Sequence, residues 1–150
     1  GSELVVVTRL ARVGYDYSIG YLEGGFDAWK RSGKEIDTVR VIDTETLANE
    51  LKQNPESPVL DVRKVSEYNA EHVKGFVSVP LDFINENMVT LDKNKTYFVH
   101  CASGYRSMVF ISILKARGYD NLIDVKDGFK AIKNSGKFKV TEYVAPATQL

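Results

Sequence analysis

A single cysteine, Cys101, stands in 150 residues. No internal disulfide can form, and cysteine usage of this kind points to a reducing compartment, so the expected location is cytoplasmic. Two histidines beside one cysteine are too few for a zinc site, and no metal or other cofactor is expected. No apolar run approaches the roughly 18–20 residues that span a bilayer, and the first residues lack the basic, apolar and small-residue succession of a signal peptide. An excess of charge is missing too. Lys and Arg number 20, as do Asp and Glu, so neither nucleic acid nor an anionic membrane is expected as a partner. What remains is ordinary for a globular chain with a real core: 43% hydrophobic and 27% charged residues, at a length that fits one compact domain with some to spare.

The chain repeats part of itself. Gly14-Tyr15-Asp16 is followed by Ile19, Tyr21 and Leu22, then by Gly25-Phe26-Asp27-Ala28-Trp29-Lys30-Arg31-Ser32-Gly33. Later, Gly118-Tyr119-Asp120 precedes Leu122, Ile123 and Val125, then Gly128-Phe129-Lys130-Ala131-Ile132-Lys133-Asn134-Ser135-Gly136. Several spaced identities in one order indicate duplication. Leu4-Val5-Val6-Val7 has strand propensity. Its counterpart begins at Met108 in a helical pattern ending at Gly118, so residues 4–13 are predicted helical, with Gly14 as the stop. Residues 18–22 are predicted to form a strand. Residues 1–37 thus read as the C-terminal remnant of a preceding repeat, whose apolar faces need cover from residues 38–140 or from a second copy of the chain in a homodimer.

From residue 39 strand and helix patterns alternate. Strands are expected at 39–42, 59–62, 76–79, 97–100 and 122–125, and helices near 44–53, 65–70, 81–87, 107–116 and 129–134. Asn54-Pro55-Glu56-Ser57-Pro58 marks a loop. This order predicts an α/β domain over residues 38–140, a parallel central sheet with helices on both faces. Residues 141–150 show no periodicity and are expected to fray as a tail.

The chemistry concentrates in Tyr97-Phe98-Val99-His100-Cys101-Ala102-Ser103-Gly104-Tyr105-Arg106-Ser107. A strand delivers Cys101 to its C-terminal end, a tight loop follows, and a helix begins, the edge at which open α/β sheets bind ligands. Loop N–H groups and a helix N-terminus favour an anion and should lower the thiol pKa from its usual ~8.5. Arg106 adds a permanent positive charge to this nest. By strand alternation His100 should point to the opposite side, as a core residue.

The segment from Cys101 to Ser107 resembles the active-site loop of the rhodanese superfamily. Tyr68-Asn69-Ala70-Glu71-His72-Val73-Lys74-Gly75 resembles the aromatic and His-Ile-x-Gly signature upstream of it, and Val59-Leu60-Asp61-Val62-Arg63 the Asp-x-Arg strand end. The Gly128-Phe129 helix is similar to the closing Gly-Gly-x-x-x-Trp element, with Ile132 in place of Trp; Gly24-Gly25 and Trp29 keep the more orthodox version. The resemblance implies a rhodanese-like three-layer fold and a sulfurtransferase with Cys101 as nucleophile and Arg106 beside it. Ala102, Ser103, Gly104, Tyr105 and Ser107 would then shape the persulfide loop. Asp61 and Arg63 would support it as an ion pair, and His72 would satisfy backbone groups near the Gly75 turn. Four residues separate Cys101 from Arg106, the length of sulfur-handling members; phosphatases and arsenate reductases of the superfamily have a loop one residue longer.

The implied route is ping-pong: a donor, thiosulfate or a thiol persulfide, sulfurates Cys101, and an external thiol acceptor removes the sulfur. Many thiosulfate-using members carry a basic residue where this chain has Ala102, which points away from a dianionic donor. The alternative is a silent module for protein interaction or regulation, but such modules usually lose the cysteine. The repeat also resembles the C-terminal region of fusions in which a metallo-β-lactamase-fold, persulfide dioxygenase-like domain precedes rhodanese units. Such a covalently preceding domain is therefore an expected partner.

Overall fold

The computed structural model describes residues 2–12 and 14–145; Gly1, Val13 and 146–150 lie outside the described residues, and with them the last residue of the expected first helix and half of the expected tail. The chain divides into two units, Gly1–Thr38 and Val39–Leu150.

The first unit holds two helices, α1 (Glu3–Ala11) and α2 (Gly25–Arg31), and neither carries a buried residue. The strand expected at 18–22 is not there: residues 16–22 have no regular secondary structure. A strand needs a neighbour to satisfy its N–H and C=O groups, and a lone extended segment has none.

The second unit is built on β1 (Arg40–Ile42), β2 (Val59–Asp61), β3 (Val77–Ser78), β4 (Tyr97–His100) and β5 (Leu122–Val125), all parallel in the order β1-β5-β4-β2-β3. Between them lie α3 (Thr44–Gln53), α4 (Val65–Ala70), a 3-10 turn (Leu81–Phe83), α5 (Ile84–Met88) and α6 (Tyr105–Lys115), and α7 (Gly128–Asn134) follows β5. β4 and β5 are buried along their whole length, which is why apolar residues dominate both, with His100 and Asp124 as buried polar exceptions.

Strand alternation splits the core in two. Leu60, Val99, Cys101 and Leu122 pack under α6 residues Phe110, Ile111 and Leu114 on one face. Ile42, Val59, Phe98, Ile123 and Val125 pack under Leu47 of α3 and Phe129 and Ile132 of α7 on the other. The result is a three-layer α/β domain. Each fully buried Val, Leu or Ile contributes on the order of 1.5–3 kcal/mol to holding these layers together.

Two residues of the segment expected to fray are tied to the rest of the domain. Val140 bridges Val73 in antiparallel fashion, the Thr141 N–H donates to the His72 carbonyl and the Val144 N–H to the Ala70 carbonyl. Thr141 and Val144 are thus held by backbone hydrogen bonds, which side-chain periodicity cannot reveal. Among the described residues no helix is long and apolar enough to cross a membrane.

Candidate active site

Because every strand is parallel, β2, β4 and β5 end at one edge, and the residues after them meet there. Cys101 follows β4 directly and is 1% exposed. The chain turns at Gly104, whose φ of 101° is open to glycine and disfavoured for other residues, and α6 starts at Tyr105, two residues earlier than expected. This geometry aims donors at the sulfur. The Gly104 N–H lies 3.1 Å from Sγ and the Ser107 hydroxyl 3.6 Å.

Burial is the strongest single influence on the Cys101 thiol and pushes its pKa up. The Ser107 N–H and hydroxyl and the Ser103 and Gly104 N–H groups together outweigh it, so the net shift is downward. Fixed donors facing a buried sulfur favour the thiolate, the nucleophilic form, more than an unassisted thiol would.

Arg106, expected beside the sulfur, is engaged by a carboxylate. Its guanidinium grips the Glu67 carboxylate in a two-pronged pair, Nη1 to Oε2 at 2.5 Å and Nη2 to Oε1 at 2.9 Å. That hydrogen bonding holds Glu67 below the usual carboxylate range and raises Arg106; the Cys101 charge acts on Arg106 more weakly. Glu67 also accepts from the Lys64 N–H, fixing the start of α4. The sequence reading passed over Glu67, which stands one residue ahead of the aromatic signature and 39 residues from Arg106.

Asp61 and Arg63 form a buried ion pair: Nη2 reaches Oδ2 at 2.6 Å and Nε reaches Oδ1 at 2.9 Å. Arg63 also donates to the Glu71 carbonyl and lies 3.9 Å over the Phe129 ring, tying the end of β2 to α4 and α7. Its position is structural, since removing one partner of such a pair costs about 3–5 kcal/mol. His72 does satisfy a backbone group, but at the Tyr68 carbonyl in α4 rather than at the Gly75 turn, and its ring stacks on Tyr68 at 3.9 Å. Tyr68 in turn donates to the Phe76 carbonyl. The aromatic and histidine signature thus braces the loop before β3 and lies outside the sulfur's contacts. His100 is fully buried on the face opposite Cys101, between Phe76 and Phe129, and burial lowers its pKa, keeping it neutral.

The loop is closed from behind by α7. The Phe129 N–H donates to the Cys101 carbonyl at 2.7 Å and the Lys130 N–H to the Ala102 carbonyl at 3.4 Å. Gly128 makes this approach possible: a Cβ there would sit 2.2 Å from the Cys101 carbonyl oxygen. Tyr105 is open to solvent at the mouth of the loop, as is Ser103.

The sequence matches the family described as Rhodanese-like domain over residues 43–135. It is 37% identical over 65 residues to the thiosulfate sulfurtransferase PspE of Escherichia coli, covering 42% of this chain and 62% of that protein. It is 26% identical over 101 residues to the Bacillus subtilis protein YrkF, covering 67% of this chain, and it spans 55% of that protein's length. Among solved structures, a rhodanese-like domain protein from Staphylococcus aureus superposes with a TM-score of 0.61 at 28% identity, over 69% of this chain and all of the other.

Proposed function

The chain belongs to the rhodanese-like domain family, and on that footing we propose that it moves a sulfane sulfur from a small donor to a thiol acceptor through a persulfide on Cys101. The observation that carries this reading is the setting of Sγ: buried, its pKa lowered, and faced by donors from Ser103, Gly104 and Ser107 in a four-residue loop. The Cys101 thiolate attacks the outer sulfur of the donor. A Sγ–S bond forms as the donor's S–S bond breaks, and the leaving thiolate or sulfite departs with the electron pair. An acceptor thiolate then attacks the outer sulfur, and the Sγ–S electrons return to Cys101. The loop N–H groups suit both anions of Cys101, before and after sulfuration. The acceptor comes from outside, since the chain has no second cysteine.

The donor is of low charge. Thiosulfate is a dianion, and the one cation of this loop, Arg106, is already matched by Glu67, while Ala102 supplies none. A thiol persulfide loses less from that arrangement. Ala102→Arg and Glu67→Gln should each lower KM for thiosulfate about tenfold, the effect of regaining one charged contact. Steady-state kinetics check this, and an unchanged KM in both variants would mean that charge does not set donor choice.

We also propose that residues 1–37 descend from a preceding rhodanese-like repeat, and that a metallo-β-lactamase-fold domain precedes it in the full polypeptide. Reading the coding sequence upstream of residue 1 tests this. The sulfur chemistry is tested by intact mass spectrometry after incubation with thiosulfate and with glutathione persulfide. The parent should gain about one sulfur atom, lost again on adding cyanide or a thiol, and Cys101→Ser should gain none. Absence of the adduct from the parent with both donors would sink the reading.

A further inference from the structure

Asp124 has no part in the transfer scheme, yet it is built against the site. It lies in β5 among apolar neighbours, 4% exposed, in register with Val41 of β1 and Val99 of β4. Its Oδ1 has no hydrogen-bond partner. Its carboxyl hydrogen-bonds the side chain of Ser107, the buried residue of α6 whose hydroxyl lies 3.6 Å from Cys101 Sγ and 3.1 Å from the Gly104 carbonyl. A hydroxyl has one proton to give. An ionised Asp124 takes that proton and leaves the sulfur without it. A protonated Asp124 gives its own proton to Ser107 Oγ and frees the hydroxyl proton for the sulfur.

We propose that Asp124 is a positioning residue for Cys101: held protonated, it hydrogen-bonds Ser107 Oγ and turns the Ser107 hydroxyl proton onto the thiolate and, after sulfuration, onto the inner sulfur of the persulfide. The surroundings favour that form. Burial raises the carboxyl above its usual range, and the negative charge of Asp127, on the turn before α7, pushes the same way while Ser107 opposes. The facing residues of β1 and β4 are valines; from α6 comes Ser107, with Cys101 beyond it and Arg106 paired to Glu67.

This inference rests on Cys101 being the reactive sulfur, and its test reads thiolate formation without sulfur transfer. The rate of Cys101 alkylation by iodoacetamide is measured against pH, by intact mass, on the full chain. Asp124→Val should slow alkylation at neutral pH about tenfold by moving the titration upward, because the hydroxyl then falls to the Gly104 carbonyl. Ser107→Ala should do the same, and the double variant should be no slower than either single one within about twofold. The conservative Asp124→Asn, whose amide N–H can still donate to Ser107 Oγ, should rescue the parent rate. An Asp124→Val profile equal to the parent's overturns the proposal, as do multiplying effects in the double variant or an Asp124→Asn as slow as the valine. If the valine variant does not fold by circular dichroism, Asp124→Asn decides alone: parent-like with Ser107 present and indistinguishable from Ser107→Ala without it, or the proposal fails. Parent protein that shows this pattern yet takes up no sulfur refutes the transferase reading instead.

Discussion

Residues 14–33 and 118–136 carry the same punctuation and form the same local structure up to the point where a sheet is required. In the first stretch α1 closes with the Tyr15 N–H on the Leu10 carbonyl before a Gly14 at φ 89°; in the second α6 closes with the Tyr119 N–H on the Leu114 carbonyl before a Gly118 at φ 82°. Gly24 and Gly25 have φ of 75° and 56°, Asp127 and Gly128 φ of 58° and 54°, and each pair opens a seven-residue helix with serine at its C-cap. Between these shared features the two stretches part. Residues 122–125 are a buried strand between β1 and β4, while residues 18–22 are irregular. Helices and their caps are encoded within a few residues, whereas a strand exists only with its partners.

The sharpest way to break that comparison is amide hydrogen exchange. The amides of β5 should be protected at least a thousandfold more than those of Tyr21 and Leu22, since sheet opening draws on most of the domain's stability and an unpaired segment on almost none. Comparable protection would mean that residues 18–22 have found a sheet to join.

Matched substitutions at equivalent glycines come next. Gly128→Ala combines a backbone collision with a positive φ and should destabilise by about 2–5 kcal/mol, with loss of most activity. Gly25→Ala meets nothing within 4 Å and should cost only the φ term, about 1–2 kcal/mol of its own unit. Urea denaturation followed by circular dichroism distinguishes the two, and equal effects would show that the carbonyl of Cys101 moves aside readily.

The smallest effect is expected from Asp127→Gly, which reproduces the paired glycines found at residues 24 and 25. It relieves a non-glycine positive φ and should stabilise by up to about 1 kcal/mol. The same substitution removes the charge that raises Asp124, so the Asp124 carboxyl should ionise at lower pH. A thermal melt checks the first outcome, and a carbon-detected NMR titration of the carboxyl the second.

What could be read from the residues followed the same division. β4 (Tyr97–His100) and β5 (Leu122–Val125) stand where mainly apolar segments bounded by turn residues place them, and α4 (Val65–Ala70) where the pattern between β2 and the Gly75 turn does. Sequence spacing also located Cys101 at a strand end, and alternation set His100 on the other face. The contacts that tune the site were not legible. Glu67 with Arg106, Asp124 with Ser107, and Thr141 with His72 each join residues far apart in the chain, and nothing in the local pattern of either partner names the other. Asp124 drew no notice because its neighbours Leu122, Ile123 and Val125 already satisfied a strand reading; a carboxylic acid in a fully buried strand was the signal, and burial became visible only in three dimensions.

The clamp that α7 places on the Cys101 carbonyl bears on any attempt to re-engineer this scaffold. Two successive carbonyls at the nucleophile end are anchored to helix N–H groups, and the absent Cβ of Gly128 leaves that end no slack. At the other end Tyr105 stands in open solvent. A ring widened to admit a tetrahedral oxyanion would therefore have to take its extra residue beside Tyr105, so the aperture has one adjustable rim and one welded one.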